Sequence, residues 1–240
     1  MEVTQVKKPT MYTELAYLGG IILLAIGNSL SAFGDFGMSM VVAPAYVLHL
    51  SLVDILPWFS FGVAEYTTQA IVIISLIILT RRVKVRFFLS FCTTLIYGVF
   101  LDAFIKVVAL LPPLLGWRIG AYALGFVLSS SGVALMLLAY FPPGLYEVLV
   151  QEITARWNLR FGVVKTVYDI CSLLVAVVMS LLIFGTFRGI GVGTVVCAFL
   201  NGTLIHLFGA WYLRRFTFKD AFRWRNFFEG NKTEKKKPVN

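Results

Sequence analysis

Five ionisable residues stand inside long apolar stretches of this 240-residue chain: Glu65, Asp102, Lys165, Asp169 and His206. A charged side chain at the centre of a lipid bilayer costs at least about 2.5–3.5 kcal/mol. A membrane protein that keeps such residues commonly uses them to bind an ion, a proton or a polar solute, or to hold helices together. Together with Gln69, these five residues form the predicted substrate- or ion-binding set.

The candidates fall into three pairs at matching positions: Glu65 with Lys165, Gln69 with Asp169, and Asp102 with His206. If a pseudo-twofold axis relates the two halves of the chain, paired residues can approach each other near that axis. Glu65 and Lys165 could therefore form an ion pair, although Lys165 could pair locally with Asp169, four residues further along one helix. Glu65 and Lys165 also lie only about one turn into their segments, so an interfacial or latching role is a further alternative.

The third pair has a different chemistry. Histidine titrates near neutral pH, which suits His206 to proton coupling, and a hydrogen-bonded packing role is the alternative. Lys106 follows Asp102 by one helical turn and could neutralise it locally. A proton relay through Asp102 and His206 predicts pH-dependent transport that fails in Asp102→Asn or His206→Ala.

These pairs belong to a longer internal repeat. Residues 27–34 read G-x-x-L-S-x-x-G, and so do residues 125–132. Each copy contains three hydrophobic segments, an odd number, so the second copy should lie inverted in the membrane relative to the first. Residues predicted to break or pack helices are Gly27, Gly34, Gly125, Gly132, Pro44 and Pro143.

The composition requires a membrane. Hydrophobic residues make up 59% of the chain, and the mean hydropathy is +0.84. Six runs are long enough to cross a bilayer: 15–33, 61–80, 87–110, 119–140, 161–184 and 191–213. The predicted fold is an all-α membrane protein with six transmembrane helices in two inverted three-helix repeats. The predicted parts are a cytoplasmic N-terminus (1–14), repeat 1 (15–110), a linker (111–118), repeat 2 (119–213) and a basic tail (214–240).

A stretch too long for a tight turn separates the first and second spans of each repeat. In the second repeat, Tyr146, Leu149 and Ile153 fall on one helical face, which predicts an amphipathic helix. Such a helix could lie flat on the membrane surface or dip into it as a re-entrant element, which is tolerated where the backbone is covered or lines a cavity. The sequence leaves both alternatives open.

Basic residues predict the orientation. With both termini in the cytoplasm, the outer side keeps only Lys106, Arg118 and Arg188 of the basic residues. We therefore predict cytoplasmic N- and C-termini in a multi-pass protein of the plasma membrane. The tail 214–240 mixes Lys and Arg with aromatic residues, which predicts contact with anionic lipids of the bilayer.

No arrangement of nucleophile and base, and no carboxylate pair with catalytic spacing, stands out in the sequence, so we expect no enzyme activity. We also expect no cofactor, no metal and no disulfide, and the positive charge is better explained by membrane topology than by nucleic acid. The favoured function is a small secondary transporter or permease for an unknown small solute, working by alternating access. The alternative is a non-transporting membrane factor that binds or regulates a partner protein. The sequence leaves self-association into a homo-oligomer open.

Two tracts carry a resemblance to a known family: residues 37–46 followed by 61–66 and Arg81-Arg82, and residues 89–102. They resemble the YczE/YyaS/YitT-type bacterial membrane proteins, specifically their DUF6198-like branch. The resemblance covers about residues 15–213 and implies a bacterial plasma-membrane protein. It implies no substrate and no site residues.

Overall fold

The computed structural model describes residues 8–221, which form eight helices and two short strands. The elements in chain order are β1 (Thr10–Tyr12), α1 (Thr13–Gly34), α2 (Ala43–Leu52), α3 (Phe61–Thr80), α4 (Val85–Val108), α5 (Leu115–Leu138), α6 (Leu145–Trp157), α7 (Phe161–Phe184), α8 (Val192–Arg215) and β2 (Thr217–Lys219). Six of the helices, all except α2 and α6, are long and apolar enough to cross a membrane. They confirm the six predicted spans, and the chain is accordingly an integral membrane protein.

Local sequence signals set several helix boundaries. The hydroxyl of Ser60 accepts a hydrogen bond from the backbone N–H of Val63 at 3.2 Å and so caps the start of α3. The same helix ends at Thr80, and the next residue, Arg81, caps it with a left-handed φ of 51°. Both short helices begin beside a predicted helix breaker, since Pro44 is the second residue of α2 and Pro143 lies two residues before α6.

The centre of the molecule is a close antiparallel contact between α1 and α5. Gly27 lies opposite Gly125, and Gly20 lies opposite Gly132. A Cβ atom at Gly27 would lie 2.6 Å from the carbonyl oxygen of Gly125, and one at Gly125 would lie 2.5 Å from that of Gly27. Small residues let two helix backbones approach this closely, and van der Waals packing then stabilises the pair within a membrane.

The remaining helices surround this pair. Helix α1 also packs against α4, and α5 also packs against α8. Helix α3 packs against α2, α4 and α6, while α7 packs against α2 and α6. One contact is conspicuously unequal between the two halves of the chain: α3 and α4 pack together, whereas α7 and α8 make no comparable contact.

Helix α6 lies alongside the second half of α3. At its start, the backbone N–H of Leu145 donates to Oε1 of Gln69 at 3.3 Å, about two turns into α3. Near its end, Nη1 of Arg156 donates to the carbonyl oxygen of Leu79 at 2.7 Å, one residue before α3 ends. Helix α6 thus runs from the middle of a membrane-spanning helix to its end, which agrees with the re-entrant alternative.

The first and last described segments meet. Strands β1 and β2 pair in parallel, with Thr10 beside Thr217 and Tyr12 beside Lys219. The pairing places both ends of the bundle on one side. Of the basic tail, only residues 214–221 fall within the described part, so the predicted lipid contacts of Trp224, Phe227 and Phe228 lie outside the described residues.

Candidate functional site

Glu65 is the charged residue most completely removed from solvent, with 0% of its surface exposed. Its Oε2 atom accepts two hydrogen bonds, from Nε2 of Gln69 at 3.2 Å and from the hydroxyl of Tyr146 at 3.1 Å. Its Oε1 atom has no hydrogen-bond partner among residues 8–221. A buried carboxyl oxygen without a donor is costly, which makes this atom the most informative one in the molecule.

Gln69 connects the three helices around Glu65. Its Nε2 atom donates to Glu65 on the same helix, and its Oε1 atom accepts from the hydroxyl of Thr94 on α4. The same oxygen accepts the backbone N–H of Leu145 at the start of α6. The amide thereby uses both its donor and its acceptor within a buried network, which fixes the orientation of Glu65.

Helix α6 contributes a second layer of contacts. The hydroxyl of Tyr146 lies 3.1 Å from Oγ1 of Thr68, in addition to its bond to Glu65. The ring of Tyr146 also contacts the ring of Tyr168 on α7, with 6.3 Å between ring centroids. The cluster therefore joins residues from both halves of the chain.

Lys165 and Asp169 pair with each other on α7. Nζ of Lys165 lies 2.8 Å from Oδ1 of Asp169, and the two side chains are 22% and 15% exposed. Nζ also lies 5.9 Å from the ring centroid of Tyr168. Of the two pairings that the sequence leaves open for Lys165, the structure contains the local one. Lys165 and Asp169 thus form the outer, partly solvated edge of the cluster around Glu65.

Glu147 lies between the inner and outer parts of this cluster. It follows Tyr146 on α6 and interacts electrostatically with Glu65, Lys165 and Asp169. Together, we call Glu65, Thr68, Gln69, Thr94, Tyr146, Glu147, Lys165, Tyr168 and Asp169 the Glu65 cluster.

Asp102 has a separate set of partners at the start of α3. Its Oδ2 atom accepts from the hydroxyl of Ser60 at 2.5 Å, and its Oδ1 atom accepts from the backbone N–H of Gly62 at 2.8 Å. A carboxylate at a helix N-terminus satisfies free N–H groups and complements the helix dipole. Asp102 accordingly fastens α4 to α3, and neither of its bonds involves Lys106.

His206, which matches Asp102 in the sequence repeat, has a contrasting environment. It lies on an exposed face of α8, and nothing comes within 4 Å of a Cβ atom placed on Gly202, one turn earlier. The structure therefore brings four of the six predicted site residues together, Glu65, Gln69, Lys165 and Asp169, and leaves Asp102 and His206 elsewhere.

Tyr146 is the main residue that sequence reasoning misassigns, because it lies on the apolar face of α6. The sequence did contain a signal for a polar role of Tyr146. Tyr46 holds the matching position in the first half, and a tyrosine presents a polar hydroxyl beyond its apolar ring. Thr94 and Tyr168 carry no comparable signal in the sequence.

The cluster provides one buried carboxyl, amide and hydroxyl groups, and an ion pair at its edge. These groups suit the binding of a proton, a small cation or a polar solute. Among residues 8–221, no group of three or more His, Cys, Asp or Glu side chains is arranged to hold a metal ion.

The chain has no match among curated proteins or solved structures. Its sequence does match a described family over residues 11–210, which includes every helix of the bundle apart from the end of α8. No activity is attached to that family. By this match, the chain belongs to the DUF6198 family of unknown function.

Proposed function

We propose that the protein is a small secondary transporter or permease that works by alternating access between two inverted three-helix repeats. The observation that carries the proposal is the unequal packing of equivalent helix pairs, α3 with α4 and α7 with α8. Alternating access in an inverted-repeat transporter needs the two repeats to adopt different conformations at one time and to exchange them.

Contacts in the centre of the bundle support the inverted relationship. Gly27 and Gly125 hold equivalent positions in the repeat, and they contact each other. Equivalent residues meet in this way beside a twofold axis. The short helices are related in the same way, because each packs against a long helix of the other half of the chain: α6 against α3, and α2 against α7.

The first repeat is in a closed arrangement. A Cβ atom at Gly62 of α3 would lie 2.6 Å from the carbonyl oxygen of Gly98 of α4, so these two backbones are in close contact. The bonds of Asp102 to Ser60 and Gly62 close the same interface.

The second repeat is in an open arrangement. Apart from the backbone of the same helix, no atom of residues 8–221 lies within 4 Å of a Cβ atom placed on Gly162 of α7 or Gly202 of α8, which correspond to the contacting glycines of the first repeat. The small residues needed for a close α7–α8 contact are present, but the contact is not formed. We infer that it forms in a second conformation, while the α3–α4 contact opens.

The Glu65 cluster supplies the polar site that such a mechanism needs. It combines side chains from α3 and α4 of the first repeat with side chains from α6 and α7 of the second, so movement of one repeat against the other changes its shape and its access. The start of α6 beside Gln69 is a helix end at the depth of a spanning helix, a recurrent element of transporter binding sites.

A pair of cysteines tests the second conformation. In a variant without Cys92, Cys171 and Cys197, we would introduce Gly162→Cys with Gly202→Cys and measure disulfide formation in membranes. The control pair is Gly162→Cys with Gly120→Cys, since Gly120 lies on α5, which does not pack against α7. Cross-linking of the test pair alone supports exchange between the repeats. Equal, background-level cross-linking in both pairs contradicts it.

Cysteines at positions 65, 69, 165 and 169 test access to the cluster. We expect a water-soluble thiol reagent to label positions 165 and 169, at the partly exposed edge, from one side of the membrane, and to label all four positions from the other side once the 162–202 disulfide has formed. Protection of all four positions under both conditions would contradict a transport pathway.

A second candidate function is a non-transporting factor that binds a partner protein in the membrane. It draws on the exposed apolar surface of α7 and α8, where Leu182 is 82% and Phe199 is 79% exposed, a surface that contacts lipid in a solitary bundle and could instead pack against a partner helix. This candidate predicts a static bundle with no 162–202 disulfide, and a function that is lost when residues 216–240 are deleted. Self-association through the same surface is a special case, which the mass of the purified protein would show.

A further inference from the structure

We propose that Glu65 carries a proton on its Oε1 atom in this conformation, so that the Glu65 cluster is a proton-binding site. Proton binding itself is argued from the geometry alone. Its role as the coupling step of transport rests on the function proposed above.

The hydrogen-bond donors to Glu65 lie on one side of its carboxyl. Nε2 of Gln69 and the hydroxyl of Tyr146 both donate to Oε2, and Oε1 has no partner among the described residues. An ionised carboxylate carries its charge on both oxygens and needs donors at both. A neutral carboxyl accepts at its carbonyl oxygen and donates from its hydroxyl, so protonation at Oε1 leaves one neutral O–H without an acceptor, which costs far less than half of a buried charge without a donor. The observed arrangement therefore favours a carbonyl at Oε2 and a hydroxyl at Oε1.

No cation neutralises Glu65 in the described part of the molecule. The nearest ammonium group in the cluster is that of Lys165, and its salt bridge is made with Asp169. An isolated carboxylate that is 0% exposed inside a membrane bundle is strongly disfavoured against its neutral form.

The helices that pack against α3 bring several titratable groups toward Glu65. Those that interact with it electrostatically include Tyr97 on α4, Tyr146 and Glu147 on α6, and Tyr168 on α7. None of these groups is a cation. On α2, His49 stacks on the ring of Phe61 and Tyr46 contacts the same ring at a tilt, and on α3 itself Tyr66 donates to the carbonyl oxygen of Leu95. Among the described residues, these titratable neighbours of Glu65 thus carry hydroxyl or carboxyl groups, and the amide of Gln69 that donates to it is neutral.

The same groups lie between Glu65 and the partly exposed edge of the cluster. The hydroxyl of Tyr146 is hydrogen-bonded to Glu65, the ring of Tyr168 contacts that of Tyr146, and Lys165 lies over the ring of Tyr168. Ring contacts do not transfer protons, so proton release, which converts the neutral carboxyl of Glu65 to a carboxylate, requires water to reach the cluster and accept the proton. Opening of the cluster to water would stabilise the resulting charge.

Infrared spectroscopy of the purified protein in lipid nanodiscs tests the proposal directly. We expect the carbonyl stretch of a protonated carboxylic acid at neutral pH, its shift in deuterium oxide, and its loss in Glu65→Gln. The glutamine variant preserves the carbonyl at Oε2 and replaces a hydroxyl by an amide, so it should fold. Glu147→Gln and Asp169→Asn are the matched controls, and both should keep the Glu65 band. Identical spectra of wild type and Glu65→Gln in this region would overturn the proposal.

Thermal unfolding supplies an independent measurement. If folding keeps Glu65 protonated, raising the pH forces a charge into the buried cluster, and the Tm of the wild type should fall relative to that of Glu65→Gln. Parallel curves would overturn the proposal. The proposal would also be overturned if NaCl or KCl, but not choline chloride, raised the Tm of the wild type and left the Tm of Glu65→Gln unchanged. Oε1 would then hold a metal cation. Neither measurement needs a transported solute, so failure of the cysteine experiments above would leave this result standing.

Discussion

The two halves of the chain place equivalent residues in unlike surroundings. Glu65 is fully buried in the contact of α3 with α4 and α6, whereas Lys165 is 22% exposed and paired within its own helix. Gly62 touches a neighbouring backbone, and Gly162 touches nothing. Residues at equivalent positions of a sequence repeat can therefore have different environments in the folded chain. The two halves also provide matched pairs of substitutions in which one half serves as the control for the other.

The largest difference is expected between Glu65→Ala and Lys165→Ala. Removal of Glu65 leaves a cavity and strips Gln69 and Tyr146 of their shared acceptor, so we expect the free energy of unfolding to fall by about 3 kcal/mol. Removal of Lys165 breaks a partly exposed pair within one helix and should cost less than about 1 kcal/mol. Unfolding in mixed micelles measures both, and equal losses would refute the assignment of Glu65 to the buried centre.

The next difference concerns the glycines. Gly62→Ala places a methyl group 2.6 Å from the backbone oxygen of Gly98, and we expect it to destabilise the protein by about 2 kcal/mol. Gly162→Ala meets no atom and gains helix propensity, so its stability should be unchanged or higher by less than about 1 kcal/mol. The same unfolding assay applies. A Gly162→Ala variant that is stable but inactive would show that the close α7–α8 contact is needed during function.

The smallest difference is expected at the third pair. Asp102→Asn keeps the size of the side chain but loses the charged acceptor at the start of α3, which should cost about 1 kcal/mol. His206→Ala removes an exposed side chain and should change stability by no more than about 0.5 kcal/mol. Hydrogen exchange at the amides of residues 62 and 63 would show whether the Asp102 cap is responsible. Unchanged exchange there would assign any loss to another cause.

Hydropathy was sufficient to predict the six long helices, because each needs a run of apolar residues of membrane-spanning length, a property of the sequence alone. The predicted starts and ends lie close to those observed, although α5 begins at Leu115, four residues before the predicted Ile119. The extra element of the second half was also predictable, but its position beside α3 was not. Contacts of Leu145 and Arg156 with α3 determine that position, and contacts between distant segments leave no local pattern in the sequence.

The candidate site was predictable in part for the same reason. Glu65, Gln69, Lys165 and Asp169 stand out because charged and amide side chains are rare in spans. Which of them pair depends on how α6 and α7 approach α3, and the sequence contains two acceptable partners for Lys165. Tyr146 could not be separated from the apolar face of α6 by periodicity, since its ring is apolar and only its hydroxyl joins the cluster.

The parallel pairing of β1 with β2 has a consequence for the synthesis of the chain. Thr10 can meet Thr217 only after the ribosome has delivered all eight helices to the membrane. Until then the amino-terminal strand presents unpaired backbone groups, which other chains can recognise. A product that stops before Thr217 never hides them. The pairing of the two ends therefore forms last and only in a chain that includes both strands, so protection of the amide groups of residues 10–12 from exchange would report completed assembly.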